Sequence, residues 1–145
     1  MKRFLLLCVA LVALVFVGCN KENGPKVDGT NINGMWVLVA EEYDGDYDSF
    51  YDEVDTILVI EGDTATEYYH PDDYFSFRDG YIYGTTFEEF ETDYDLSYGI
   101  TGDYLTMYGI PFCKIDVKNG RLVLTITFDD EEGIVYWERV KGFRE

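Results

Sequence analysis

The chain has 145 residues and carries 29 acidic against 11 basic side chains with a single histidine, for a formal net charge of −18. Acidity of that size repels nucleic acid and anionic lipid headgroups, which excludes nucleic-acid binding. The 13 tyrosines and 10 phenylalanines spread among the charges argue against a disordered acidic chain, and the length suits one domain with a modest core.

Met1-Lys2-Arg3 is a short basic segment followed by an unbroken apolar run from Phe4 to Val17 that ends at Gly18-Cys19. The run reads as a secretory leader, because about 14 residues are too few to cross a hydrocarbon core of roughly 30 Å. Phe16-Val17-Gly18-Cys19 resembles a bacterial lipobox, with Phe16 where the motif usually has Leu. The resemblance implies that residues 1–18 are removed and that Cys19 becomes the lipidated N-terminus of a cell-envelope protein, held in the outer membrane of a Gram-negative bacterium. An ordinary leader that happens to contain Cys19 is the alternative; it is disfavoured because ordinary cleavage prefers small residues two apart and Phe16 is large.

Residues 19–33 turn to Lys, Glu, Asn, Gly, Pro, Asp and Thr, with Val27 and Ile32 as the only larger apolar residues. That composition predicts a flexible tether. The stretch 34–145 then forms one domain. Cys8 leaves with the leader and Cys19 is taken by lipid, so Cys113 stands alone and the fold rests on packing, not on a disulfide.

Within the domain, Asn33 to Ala40 is the first strand, with Trp36, Leu38 and Ala40 on one face and Val37, Val39 and Glu41 on the other. Asn119-Gly120 between alternating strands is a strong signal for a two-residue hairpin turn, and it sets Val117 against Leu122, Ile115 against Leu124 and Cys113 against Ile126. Asp79-Gly80 sets Phe77 opposite Ile82, and Gly102-Asp103 sets Ile100 opposite Leu105 and Tyr98 opposite Met107. Ile57 to Tyr69 makes a further hairpin around Gly62-Asp63, although Ile57-Leu58-Val59-Ile60 is apolar on both faces. With Ile134 to Val140 these give eight to ten short strands, an all-β chain whose tight hairpins favour a small antiparallel up-and-down barrel. Thr86 to Glu91 is too short for a stable helix and reads as a loop or single turn.

Chemistry-bearing residues are sparse. The only histidine, His70, precedes Pro71 in an acidic turn and reads as a surface residue, and Cys113 reads as an inert buried thiol. Asp44, Asp46, Asp48, Asp52 and Asp55 fall at positions 1, 3, 5, 9 and 12 of a twelve-residue window, the offsets of an EF-hand loop. Against Ca²⁺ binding there stand Ser49 where that loop has Gly, Asp55 where it has the longer Glu, and no flanking helices. The other reading is a solvated acidic hairpin loop.

Gly34-Met35-Trp36 after a tether, the run of hairpins, and the closing Tyr136-Trp137-Glu138-Arg139-Val140-Lys141 resemble the lipocalin-like domains of bacterial secreted lipoproteins. The resemblance implies that Trp36 closes the barrel floor and that Arg139 from the last strand lies across it. It implies a fold and a cup but no activity. The expected function is non-enzymatic: a membrane-anchored envelope protein binding a small apolar or amphipathic ligand in the barrel mouth. The alternative is a protein-interaction module that uses acidic, aromatic-rich loops on a filled barrel, with Ca²⁺ at Asp44–Asp55 as a further option.

Overall fold

A computed structural model of the chain describes residues 24–145. The leader, the lipobox-like segment and Cys19 lie outside the described residues.

The chain is all-β. Gly34–Tyr43 (β3), Thr56–Glu61 (β5), Thr64–Tyr69 (β6), Ser97–Thr101 (β9), Tyr104–Met107 (β10), Ile110–Lys118 (β11), Arg121–Phe128 (β12) and Glu131–Arg139 (β13) pair antiparallel in chain order, and β13 pairs back onto β3. The result is a closed up-and-down barrel of eight strands, lipocalin-like in its architecture. A ninth strand, Asp46–Ser49 (β4), continues the sheet from the upper half of β3, whose lower half pairs with β5. Lys26–Val27 (β1) and Thr30–Asn31 (β2) form a separate hairpin ahead of the barrel. Ser76–Arg78 (β7), Tyr81–Tyr83 (β8) and the C-terminal Gly142–Arg144 (β14) make a small sheet in which β14 runs parallel to β8.

Turn chemistry sets the hairpins. In Asp28-Gly29, Asp44-Gly45, Asp79-Gly80 and Asn119-Gly120 both residues have positive φ, as type I′ turns require. In Gly62-Asp63 and Gly102-Asp103 only the glycine does, which matches type II′ with Gly in first place. The order of the acid and the glycine thus selects the turn. The expected registers follow at Cys113–Ile126, Ile115–Leu124, Val117–Leu122, Phe77–Ile82 and Ile100–Leu105. The β9–β10 ladder stops at Gly99–Thr106, so Tyr98 and Met107 do not pair; Met107 pairs with Ile110 of β11, across a ladder whose register shifts at a bulge between Leu105 and Thr106.

Two apolar clusters lie on either side of the barrel wall. The inner one takes Trp36, Leu58, Ile60, Leu105, Ile115, Leu122, Leu124 and Trp137 from around the ring. The outer one packs Val37, Val39, Ile57 and Val59 against Val54, Phe77, Ile82 and Phe90. This second layer explains why Ile57 to Ile60 is apolar on both faces: the strand is buried on both. Each fully buried side chain of this size contributes about 1.5–3 kcal/mol, so the outer layer is a substantial share of the core.

Two further expectations are corrected. Residues 25–33 are not a free tether: Ile32 N–H donates to the Pro25 carbonyl at 3.0 Å, and Val27 and Ile32 are buried in the inner cluster. The tether reading averaged composition over a segment whose only two large apolar residues flank an Asp28-Gly29 turn and plug the barrel together. Ala40 does not share the face of Trp36 and Leu38, since a bulge opposite Tyr136 and Trp137 turns it into the outer cluster.

Candidate functional site

The barrel has two unlike ends. At one lie the β5–β6, β9–β10 and β11–β12 turns with the β1–β2 hairpin, and Trp36, 1% exposed, is buried in the inner cluster beside that hairpin's Val27 and Ile32. Its indole Nε1–H donates to the Ile32 carbonyl at 2.9 Å. The Arg139 guanidinium sits 4.2 Å from the Trp36 ring centroid and donates from Nη1 to the Asn33 carbonyl at 2.7 Å and from Nη2 to the Asn31 carbonyl at 2.9 Å. Gly34, at φ +130°, would place a Cβ 3.0 Å from Arg139 Nη1, so the glycine of the Gly-x-Trp pattern clears the path of the arginine. Burial lowers the Arg139 pKa, yet a guanidinium stays charged at any physiological pH. This assembly ties first strand, last strand and N-terminal hairpin together.

The acidic window does not converge. Asp44 lies in the β3–β4 turn, Asp46 and Asp48 stand on β4, and Asp52 and Asp55 follow beyond it, Asp55 accepting a hydrogen bond from Thr56 Oγ1 at 2.8 Å. Along an extended strand, side chains two residues apart stand about 6–7 Å from each other, whereas an EF-hand loop must curl around its ion. Among the described residues no three His, Cys, Asp or Glu side chains come together so as to hold a metal ion.

His70 is not a surface residue. Its side chain is 11% exposed, edge-on to Phe75 and Phe90, with Nδ1 accepting the backbone N–H of Asp72 and Asp73 at 3.3 and 3.1 Å. It fastens the turn after β6 to the outer cluster. Cys113 faces the lumen at 2% exposure, and burial pushes its thiol up to about 12. The barrel wall separates the two residues, so they form no nucleophile–base pair.

On the outer face, Arg121 donates to the hydroxyls of Tyr47, at 3.2 Å, and Tyr51, and lies 3.5 Å from Glu138. Tyr51 in turn donates to Glu138, and Tyr136 to Glu42 at 2.7 Å. These groups satisfy one another and clamp β4 and the loop after it to β12 and β13.

The opposite, open end carries exposed apolar side chains on the adjacent β10–β11 and β12–β13 hairpins. Tyr108 is 84% exposed, Phe128 76% and Ile110 68%, with Met107, Ile126 and Tyr43 beside them also exposed. Tyr108, Asp129 and Asp130 hold these tips in the left-handed region at φ of 53°, 48° and 66°. For Tyr108, which lacks the short polar side chain that lets Asp enter this region readily, that conformation costs roughly 1–2 kcal/mol. Tyr43 donates to Glu131, and Glu42, Tyr43, Asp44, Asp130, Glu131 and Glu132 line a groove of about 500 Å³ at the rim. On the lumen face, Glu67 pairs with Leu58, and burial raises its carboxyl pKa. Among the described residues its side chain makes no hydrogen bond or ion pair. The Trp137 indole N–H is likewise buried without an acceptor.

Sequence reasoning anticipated acidic, aromatic-rich loops as an interaction surface but did not locate them at Tyr108, Ile110 and Phe128. The available signal was the apolar residues flanking Tyr108-Gly109 and Asp129-Asp130, which alternation alone reads as strand interior. No family model, no curated protein and no solved structure matches this chain.

Proposed function

We propose that this chain is a lipid-anchored protein of the cell envelope, lipocalin-like and non-enzymatic, that presents the open end of a filled barrel to a protein partner. The packed lumen carries this reading. Trp36, Trp137, Leu58, Ile60, Ile115 and Leu122 occupy the space where a cup-type barrel would hold a small apolar ligand. Anchoring rests on Gly18-Cys19 after the apolar run, and the fold suits it. Gly24 and Pro25 lie beside the closed-end turns Gly62-Asp63 and Gly102, so a lipid on Cys19 would leave the open-end hairpins on the side away from the membrane.

Three measurements on the full chain in its own envelope test this. Radioactive fatty acid should label the wild type and not Cys19→Ala; label on the variant overturns the anchoring. Native mass spectrometry should find no stoichiometric small molecule; one bound in the mouth overturns the filled-barrel interaction module. A photo-crosslinking residue at Tyr108 or Phe128 should join the protein to a partner protein, while one at Lys118, at the closed end, should not. Equal crosslinking from both ends overturns the assignment of the surface.

A further inference from the structure

We infer that the open-end surface takes a cationic amphipathic segment of its protein partner, with apolar side chains on the Tyr108, Ile110 and Phe128 patch and basic groups against the surrounding carboxylates. The inference deepens the interaction reading and rests on it.

Three observations fix the chemistry of the occupant. First, large apolar side chains exposed on neighbouring hairpin tips, with acidic residues around them, form the pattern of an interface centre with a charged rim. Second, the rim is of one sign. Asp44, Asp46, Asp129, Asp130, Glu131 and Glu132 stand at this end, and no Lys or Arg occurs between Arg121 and Arg139 or between Arg78 and Cys113. The basic residues Lys26, Lys118, Arg139 and Lys141 belong to the closed end or its neighbourhood instead. Third, Glu67 faces the lumen as a partly buried carboxylate whose side chain has no hydrogen bond or ion pair among the described residues. A cation entering the mouth would relieve that cost.

The same features argue against other occupants. A second copy docking end to end would bring two acidic rims within a Debye length of about 8 Å, and an anionic lipid surface would be repelled in the same way. A neutral apolar ligand would satisfy the patch and leave Glu67 and the rim unanswered. A basic, apolar-faced peptide segment answers all three.

The test uses the full-length protein in phosphatidylcholine nanodiscs, with empty nanodiscs as reference. The probe is a synthetic amphipathic helix of lysine and leucine; a glutamate–leucine helix of equal length and a lysine–serine peptide without an apolar face serve as controls. The lysine–leucine peptide should bind, more weakly as salt rises, and the controls should bind at least about tenfold more weakly. Hydrogen exchange should slow in 107–110 and 126–132 when it binds. The double variant Ile110→Ser/Phe128→Ser removes only exposed side chains, so its urea midpoint should not move, and its affinity should fall about tenfold or more. Unchanged affinity in that variant, binding of the lysine–serine peptide as tight as that of the lysine–leucine helix, or protection elsewhere in the barrel means charge attraction without a site, and overturns the inference. Failure to bind by a protein that also proves free of small molecules sinks this inference alone. A small molecule found in the mouth sinks the interaction reading beneath it.

Discussion

Arg139→Ala should unlatch the closed end. The guanidinium makes two charge-assisted hydrogen bonds, to the carbonyls of Asn31 and Asn33, and lies over the Trp36 ring at 4.2 Å. Hydrogen bonds to charged groups contribute about 1.5–3 kcal/mol each, nearer the lower figure here because water reaches part of the site, and the ring contact adds about 1 kcal/mol. Against these stands the desolvation that lowers the Arg139 pKa, which the alanine would recover. The net loss should be about 2–3 kcal/mol, or roughly 10 °C in unfolding midpoint for a domain of this size. Urea denaturation followed by tryptophan emission measures it, and hydrogen exchange locates it. Protection should be lost first in 25–33, because Arg139 holds that segment's carbonyls. Arg139→Lys keeps the charge but not the two-pronged geometry and should recover less than half of the loss. A loss below about 0.5 kcal/mol, or faster exchange spread evenly over the barrel, would refute the latch.

Leu124→Ala should cost about 2–5 kcal/mol because the side chain is 4% exposed in the inner cluster. Ile126→Ala, on the same strand but 41% exposed at the mouth, should cost about 1 kcal/mol or less, and equal losses in urea melts would contradict the boundary drawn between core and rim. Glu67→Gln should stabilise the protein at neutral pH. A carboxyl whose folded pKa is raised above its ordinary 4.5 favours folding only while protonated, so that contribution is lost as pH rises through the folded value. The gap between variant and wild type should therefore close as pH falls below about 4.5, and a gap independent of pH excludes titration of Glu67 as its source. Cys113, with its thiol pushed up to about 12, should be about one part in ten thousand thiolate at pH 8. Its labelling by a thiol reagent should be slow until urea unfolds the chain, and rapid native labelling would place it outside the lumen.

Local chemistry was legible without the structure. Asn119-Gly120, Asp79-Gly80 and Gly62-Asp63 place positive φ where only glycine and short polar residues adopt it readily, so each names its turn and, through the period-2 pattern, the partners across it. The β-barrel class follows from how closely those turns succeed one another. What the sequence could not supply depends on residues far apart in the chain. Whether Asp44 to Asp55 gathers around an ion turns on backbone path, since identical spacing serves a curled loop and an extended strand alike. His70 reads as polar until Phe75 and Phe90 close on it. Val27 and Ile32 look like stray apolar residues in a tether until a barrel offers them an end to plug. The second apolar layer gathers Val54, Phe77, Ile82 and Phe90 from separate segments onto β3 and β5, beside a parallel pairing of β14 with β8 that no local pattern signals. Turn type and strand register are short-range properties of backbone sterics and were set by the sequence itself. Which faces are buried, and which end of the barrel is left open, are long-range consequences of closure, and only the tertiary structure decided them.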